Sequence, residues 1–292
     1  MITLTCLLLW FVLMSDYPEK DKFIEEGELD FILQSRLFNA QQQEQDKAVP
    51  VLPLMMDMLT NLPMWVIIVT SFGLYAGYAL IAIEGPDFIS KILPLGKEIS
   101  SNGLYLALPF LLIAIIGPAV AIVAEYAVSH SFLSLLNSQR LCVIIGSLVP
   151  SAGMIAMTYL TSERYQYYCI ALLSISFGFY GATYSGTYPN IMIMAPNRSG
   201  TVNGIVNTAG FVSQFFLPLI KAWVVQDDSN IADWRNLFIL IGGTLTLAAI
   251  LFSLCATSKI QDFNFRNYGE ISVKASCCGL IQSIKREKRI IK

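Results

Sequence analysis

Six long apolar runs decide what this chain can fold into. They lie at 62–84, 103–125, 141–160, 167–193, 199–224 and 236–256, and their interiors carry almost no charge. A helix needs roughly 20 apolar residues to cross the hydrocarbon core of a bilayer, and each run reaches that length. The runs are continuously apolar rather than alternating, which argues against transmembrane β-strands. Polar or turn residues separate them: Gly85-Pro86-Asp87, Ser129-His130, Thr161-Ser162-Glu163-Arg164, Ala195-Pro196-Asn197-Arg198 and Gln226 to Asn230. The expected fold is an all-α membrane protein, a six-helix transmembrane bundle over 62–256.

Composition agrees and narrows function. Only 14% of the residues are charged and the mean hydropathy is +0.59, too little polar surface for a water-soluble domain. A net charge of −2 with no basic stripe excludes a nucleic-acid binder. Six cysteines without C-x-x-C spacing and a single histidine, His130, leave almost nothing for a Cys/His metal site. No P-loop, dinucleotide fingerprint or nucleophile triad occurs, so the chain reads as neither an ATP-driven pump nor an enzyme, and no cofactor is expected.

The flanks read differently. Residues 2–14 are apolar but short. A signal-peptide core has this length, yet the stretch lacks a basic start and a small-residue cleavage site, so the tail of a truncated helix (1–14) is the better reading. Residues 15–61 are polar and read as a solvated cytosolic linker, and 257–292 as a cytosolic tail ending in a basic cluster. With 15–61, 126–140, 194–200 and 257–292 on the cytosolic side, 14 of the 19 Lys and Arg lie there, most of the excess in the tail. Asn197-Arg198-Ser199, the one N-x-S/T sequon, then faces the cytosol. Glycosidase treatment should leave gel mobility unchanged, and a shift abolished by Asn197→Gln would invert this topology. In the tail, Cys277-Cys278 beside basic residues is a candidate palmitoylation site.

Within the runs, polar residues recur at helical spacing. Ser176, Tyr180, Thr183 and Thr187 fall on one stripe with Tyr184 and Tyr188 alongside, and Ser71, Tyr75, Tyr78 and Ala82 form a thinner one. Each stripe either lines a cavity or bonds between helices. Asn203, Asn207, Gly210, Gln214 and Lys221 share one face, since 18 residues make five turns. Such a face is costly against lipid and should meet protein or water. Lys221 is the only basic residue well inside a run; it either attracts an anion or snorkels to the interface. If it attracts an anion, Lys221→Gln should weaken affinity roughly 5- to 30-fold. Glu84 reads as an end-of-span carboxylate reaching headgroup water. Gly200-x-x-x-Gly204 offers a close helix approach, and Pro109, Pro118 and Pro218 mark sites of bending.

Four stretches carry a family resemblance. They are WFVLMSDYPEKDKFIEEGELDFI at 10–32; Ser101-Asn102-Gly103-Leu104 through Leu108-Pro109; Asn190 with Met194-Ala195-Pro196 and Gly204-Ile205-Val206-Asn207-Thr208; and Asp233-Trp234-Arg235 with Phe238, then Ile260-Gln261. In this order they resemble the carboxy-terminal half of a major facilitator superfamily organic-anion carrier, of the vesicular glutamate transporter, sialin and sodium-phosphate cotransporter-like group. The resemblance implies that the six runs are family helices 7–12, one 3+3 half of a full transporter, preceded by the end of helix 6.

It implies alternating-access carriage of a small organic or inorganic anion, with proton or sodium as coupling ion. The bilayer and a partner half or a homodimer would be its partners, in a vesicular, lysosomal or plasma membrane. Tyr75, Tyr78, Tyr180, Thr183, Tyr184, Asn203, Asn207, Gln214 and Lys221 would then form the substrate pathway. Glu125 would gate it by docking on the amino-terminal dipole of helix 11 near Ser199-Gly200-Thr201. The chain departs from the family pattern at Asn190-Ile191-Met192-Ile193, where a histidine and a carboxylate are usual; at Leu74, where the glutamate carriers have arginine; and at Val128 after Ala124-Glu125. A half that carries the family's main anion-binding arginines is not among these six helices, so a non-transporting fragment or membrane scaffold pairing with another half is the alternative.

Overall fold

The computed structural model describes residues 2–13, 19, 24–30, 32–33, 51–93, 99–162 and 164–264. The chain divides into two compact units, one of residues 1–54 and 265–292 and one of Met55–Asn264. In the first, α1 (Ile2–Leu13) is a 12-residue apolar helix, about 18 Å long at 1.5 Å per residue. The expected linker lies largely, and Cys277 and Cys278 wholly, outside the described residues.

The second unit holds the helical bundle. After α2 (Val51–Thr60) come α3 (Leu62–Ile92), α4 (Ile99–Ser129), α5 (Leu135–Met157), α6 (166–194), α7 (Ser199–Val224) and α8 (Ile231–Cys255). Five of these helices are long and apolar enough, without interruption, to cross a membrane. The sixth, α6, is the run at 167–193. It consists of Gln166–Gly178 and Ala182–Met194 joined through a 3-10 turn at Phe179–Gly181. The glycines at 178 and 181 sit on this turn, where the helix tightens.

Helix ends fall where capping groups are, beyond the apolar runs. Ser134 accepts from Asn137 N–H and starts α5 six residues before its run. Asn230 accepts from Ala232 N–H and starts α8, adding a polar first turn with Asp233 and Arg235. Gly85-Pro86, read as a turn, does not end α3. A π-helical turn at Leu80–Glu84 re-registers the backbone and the helix resumes through Gly85–Ile92, with proline in its first turn where no amide hydrogen is required.

Packing reveals the internal repeat. α3 packs on α7 and α8, α6 packs on α4 and α5, and α5 packs on α8. Exchanging α3, α4, α5 for α6, α7, α8 maps this set of contacts onto itself, as a 3+3 arrangement requires. Between helices immersed in lipid, attraction comes from close packing and hydrogen bonds rather than water exclusion. At one end of the bundle Phe88, Trp234 and Phe238 meet edge to face, with centroids 5.4 and 5.0 Å from Phe88. Ser151 of α5 donates to Gly242 O of α8 at 2.8 Å.

Close helix approach occurs at glycines other than the expected pair. A Cβ on Gly200 or Gly204 would meet nothing within 4 Å among the described residues. A Cβ on Gly181 would lie 2.9 Å from the Gly117 Cα and 2.9 Å from the Ile113 carbonyl oxygen, so α4 and α6 touch backbone to backbone there. The spacing of Gly200 and Gly204 satisfies the small-residue pattern, but no described neighbouring helix faces it.

The chain after α8 is tied across the bundle's end. Asn190, 1% exposed, donates through Nδ2 to Gln139 Oε1 at 2.9 Å and to Thr257 O at 3.0 Å. Gln261 N–H donates to Met194 O at 2.9 Å, and its Oε1 accepts from Asn61 Nδ2 at 3.1 Å. Arg140 donates to Ala256 O, and Asn197 N–H to Asn264 Oδ1. The Asn190 and Ile260-Gln261 positions of the family pattern thus serve to close this end. Asn190→Ala strands the Gln139 and Thr257 acceptors and should cost about 1–3 kcal/mol. Thermal melting in detergent checks this, with Asn190→Asp as a charged comparison.

Candidate functional site

The sequence-expected polar residues separate into an open face, a buried stripe and an ionic cluster. Tyr75 of α3 donates its hydroxyl to Asn207 Oδ1 of α7 at 2.6 Å and lies near Tyr188 of α6. Phe211 stands edge-on to the Tyr75 ring at 5.7 Å. Gly210 lets that ring lie against α7, because a Cβ there would fall 2.6 Å from it. Tyr184 and Tyr188, each 37% exposed, stack at 5.7 Å on the same side. With Ser185, Gly117 and Ala121 they line a groove of about 570 Å³ between α4 and α6. Tyr78 joins α3 to α4 and α6 through the rings of Phe110 and Tyr180.

The stripe Ser176, Tyr180, Thr183, Thr187 lies behind that face instead of on it. All four are buried, Tyr180 and Thr183 at 1% exposure. Tyr180 donates to Leu74 O at 2.8 Å across to α3, while Thr183 and Thr187 bond carbonyls of their own helix. Periodicity identified the stripe and left open whether it lines a cavity or bonds between helices; here Tyr180 bonds across to α3 and the two threonines bond within α6. Tyr184 and Tyr188, which run alongside the stripe, are each 37% exposed.

On α7 the polar face meets α3. Asn207 and Lys221 both bond α3 residues. Asn203 and Gln214 are half-buried, and Asn203 Oδ1 is a buried acceptor without a partner among the described residues. Glu125 is exposed and lines a cavity of about 370 Å³ with Ser138 and Gln139 at the start of α5 and Ser185 and Pro189 of α6. That places it at a cavity shared with the first turns of α5.

Lys221 is ion-paired with two carboxylates of α3. Its Nζ lies 2.6 Å from Glu84 Oε2 and 2.6 Å from Asp87 Oδ2, and 5.0 Å from the centroid of the Trp234 ring. The Lys221 and Glu84 side chains are 14% and 6% exposed. Glu84, read from its place at the run's end as reaching headgroup water, is instead buried and paired with Lys221. Asp87 also faces Lys91 at 3.5 Å, and Lys91 pairs with Asp228 of the α7–α8 connection. Asp87 and Trp234 escape a reading of the apolar runs because they lie beyond the runs' ends. The i, i+3 spacing of Glu84 and Asp87, once α3 is continued past Pro86, is the signal that finds them. No group of three or more His, Cys, Asp or Glu able to hold a metal ion occurs among the described residues.

Apolar helices of this length, repeated around an internal pseudo-symmetry with one polar face, define a multi-pass α-helical membrane protein. A family model for the Major Facilitator Superfamily matches residues 1–218, and the chain belongs to that superfamily. Among curated proteins it is similar to sodium-dependent phosphate transport protein 4 of Homo sapiens, 28% identical over 258 residues, which are 88% of this chain and 59% of that protein. It is similar to sialin of Homo sapiens, 28% identical over 267 residues, 89% of this chain and 50% of sialin. A probable small intestine urate exporter of Mus musculus is 26% identical over 258 residues, 88% of this chain and 50% of the exporter. The chain spans about half the length of these relatives.

Proposed function

We propose that this bundle is one half of an alternating-access carrier for small anions. The observation that carries the reading is the Tyr75–Asn207 bond at the open face, where α3, α6 and α7 bring hydroxyl and amide groups together outside the packed interior. Carriers of this architecture bind substrate between two such halves near the midplane. The names of the relatives, which include phosphate transport and urate export, support an anion as the solute. A proton or sodium ion would be the coupling ion, and a second half or a second copy would complete the cavity. Tyr75, Tyr78, Tyr184, Asn203, Asn207 and Gln214 would contact the solute, with Tyr180 and Thr183 holding the face from behind. Glu125 would act as a gate at the cytosolic end, and residues 15–61 and 257–292 would lie in the cytosol. Since the described helices α3–α8 carry no unpaired buried cation facing this groove, the solute's charge would be met by the completing half.

The full chain, purified and reconstituted in liposomes, tests this with radiolabelled phosphate and urate. Saturable uptake of either is expected, weakened roughly 5- to 30-fold by Asn207→Ala. Absence of uptake from the chain alone, together with co-purification of another half from the expressing membrane, would favour the scaffold reading.

A further inference from the structure

The groups around the Lys221 ammonium form a complete coordination shell for a primary ammonium. A lysine head has three N–H donors and a full positive charge. Glu84 Oε2 and Asp87 Oδ2 each lie at 2.6 Å, contributed by successive turns of α3, and the face of Trp234 from α8 covers a third side at 5.0 Å. An indole face is the best side-chain surface for an organic cation and is no ligand for a hard metal ion. Hard cations such as calcium and magnesium surround themselves with about six oxygens, and the shell described here offers two carboxylates and a ring. Glu84 is almost fully buried, and Lys221 is the one cation among the described residues at ion-pair distance from it. A carboxylate so placed is costly unless a cation accompanies it.

We infer that Glu84, Asp87 and Trp234 constitute an ammonium-selective cation site that the chain fills with its own Lys221. The inference builds on the carrier reading by assigning the ionic role of this end: the two carboxylates that an exchangeable coupling ion would seek are held by a tethered cation. Three elements meet at that cation. Lys221 comes from α7, the carboxylates from the last residue of the π-helical turn of α3 and the turn that follows it, and the ring from the start of α8. The tether therefore joins them without sodium.

The test is thermal melting of the full chain in detergent, which does not depend on transport and so fails separately from the carrier reading. Lys221→Ala vacates the site and should lower the melting temperature by roughly 6–15 °C. n-Propylammonium, a fragment of the lost side chain, should recover at least half of that loss at tens of millimolar. Sodium at matched ionic strength and n-propanol should not, and wild type should respond to none of them. Equal melting of wild type and Lys221→Ala, or recovery by sodium or propanol as large as by propylammonium, overturns the assignment. Should Lys221→Ala not accumulate, Glu84→Gln in the wild-type background decides. It leaves the ammonium one carboxylate and the ring, so it should melt within a few degrees of wild type; a collapse as large as that of the lysine variant overturns the inference.

Discussion

Gly181→Val should lower the melting temperature of the detergent-solubilised chain by about 5–12 °C, whereas Gly204→Ala should leave it unchanged or raise it slightly. The difference lies in what each new Cβ meets. At Gly181 it meets the Gly117 Cα, the Gly117 amide nitrogen and the Ile113 carbonyl, all within 3.0 Å and all backbone, which has no rotamer to change. α4 and α6 must separate by a sizeable fraction of an ångström, which loosens the tight α4–α6 contact and the groove lined by Tyr184 and Tyr188. A Cβ on Gly204 meets nothing within 4 Å among the described residues, so alanine there acts through its better helix propensity, about 0.5–1 kcal/mol. Fluorescence-detected size-exclusion after a heat step reads both variants from small cultures. Comparable losses at 181 and 204 would mean that the face around Gly204 is covered as tightly as the one around Gly181.

Lys221→Gln should cost about 3–5 kcal/mol, and adding Glu84→Gln should restore more than half of it. The single variant leaves Glu84 buried without its cation and Asp87 with only the more exposed Lys91. The double variant removes the carboxylate that cannot reach water. Denaturant or thermal unfolding of the four members of the cycle gives the coupling between the two side chains. The same set separates two origins of any loss in anion affinity. If the lysine attracts the anion directly, the double variant remains as weak as Lys221→Gln; if its work is to hold Glu84, the double variant recovers. The geometry predicts recovery, because with Glu84 and Asp87 at 2.6 Å the three side chains together carry a net negative charge.

The order and number of the spans were legible in the chain, because a run of about 20 uncharged apolar residues has one low-energy option in a bilayer, a helix that satisfies its own backbone. Class and membrane residence followed from that alone, and ordered local patterns such as Asn190 with Met194-Ala195-Pro196 led to the family. Helix ends were less legible. Ser134 and Asn230 cap helices whose first turns are polar, and a hydropathy run cannot see a polar turn. Which side a stripe faces was not legible at all. A 3-10 turn at Phe179–Gly181 and a π-helical turn at Leu80–Glu84 leave no mark in the hydropathy, and which side chains face protein is decided by the helices packed against them: Thr183 and Glu84 are buried, while Tyr184 is 37% exposed. Small-residue spacing was equally mute about partners: Gly200 and Gly204 fit the pattern, yet a Cβ on either meets nothing within 4 Å among the described residues, while Gly117 and Gly181, 64 residues apart, touch backbone to backbone. Lys221 shows the division most clearly. That one cation lay inside an apolar run was evident from the chain, and that it had to be compensated followed from the low dielectric around it. Its partners on α3 and α8 became neighbours only when the tertiary packing brought three helices together: Glu84 and Asp87 lie more than 130 positions before it and Trp234 lies beyond the α7–α8 connection, so none leaves a trace within the run.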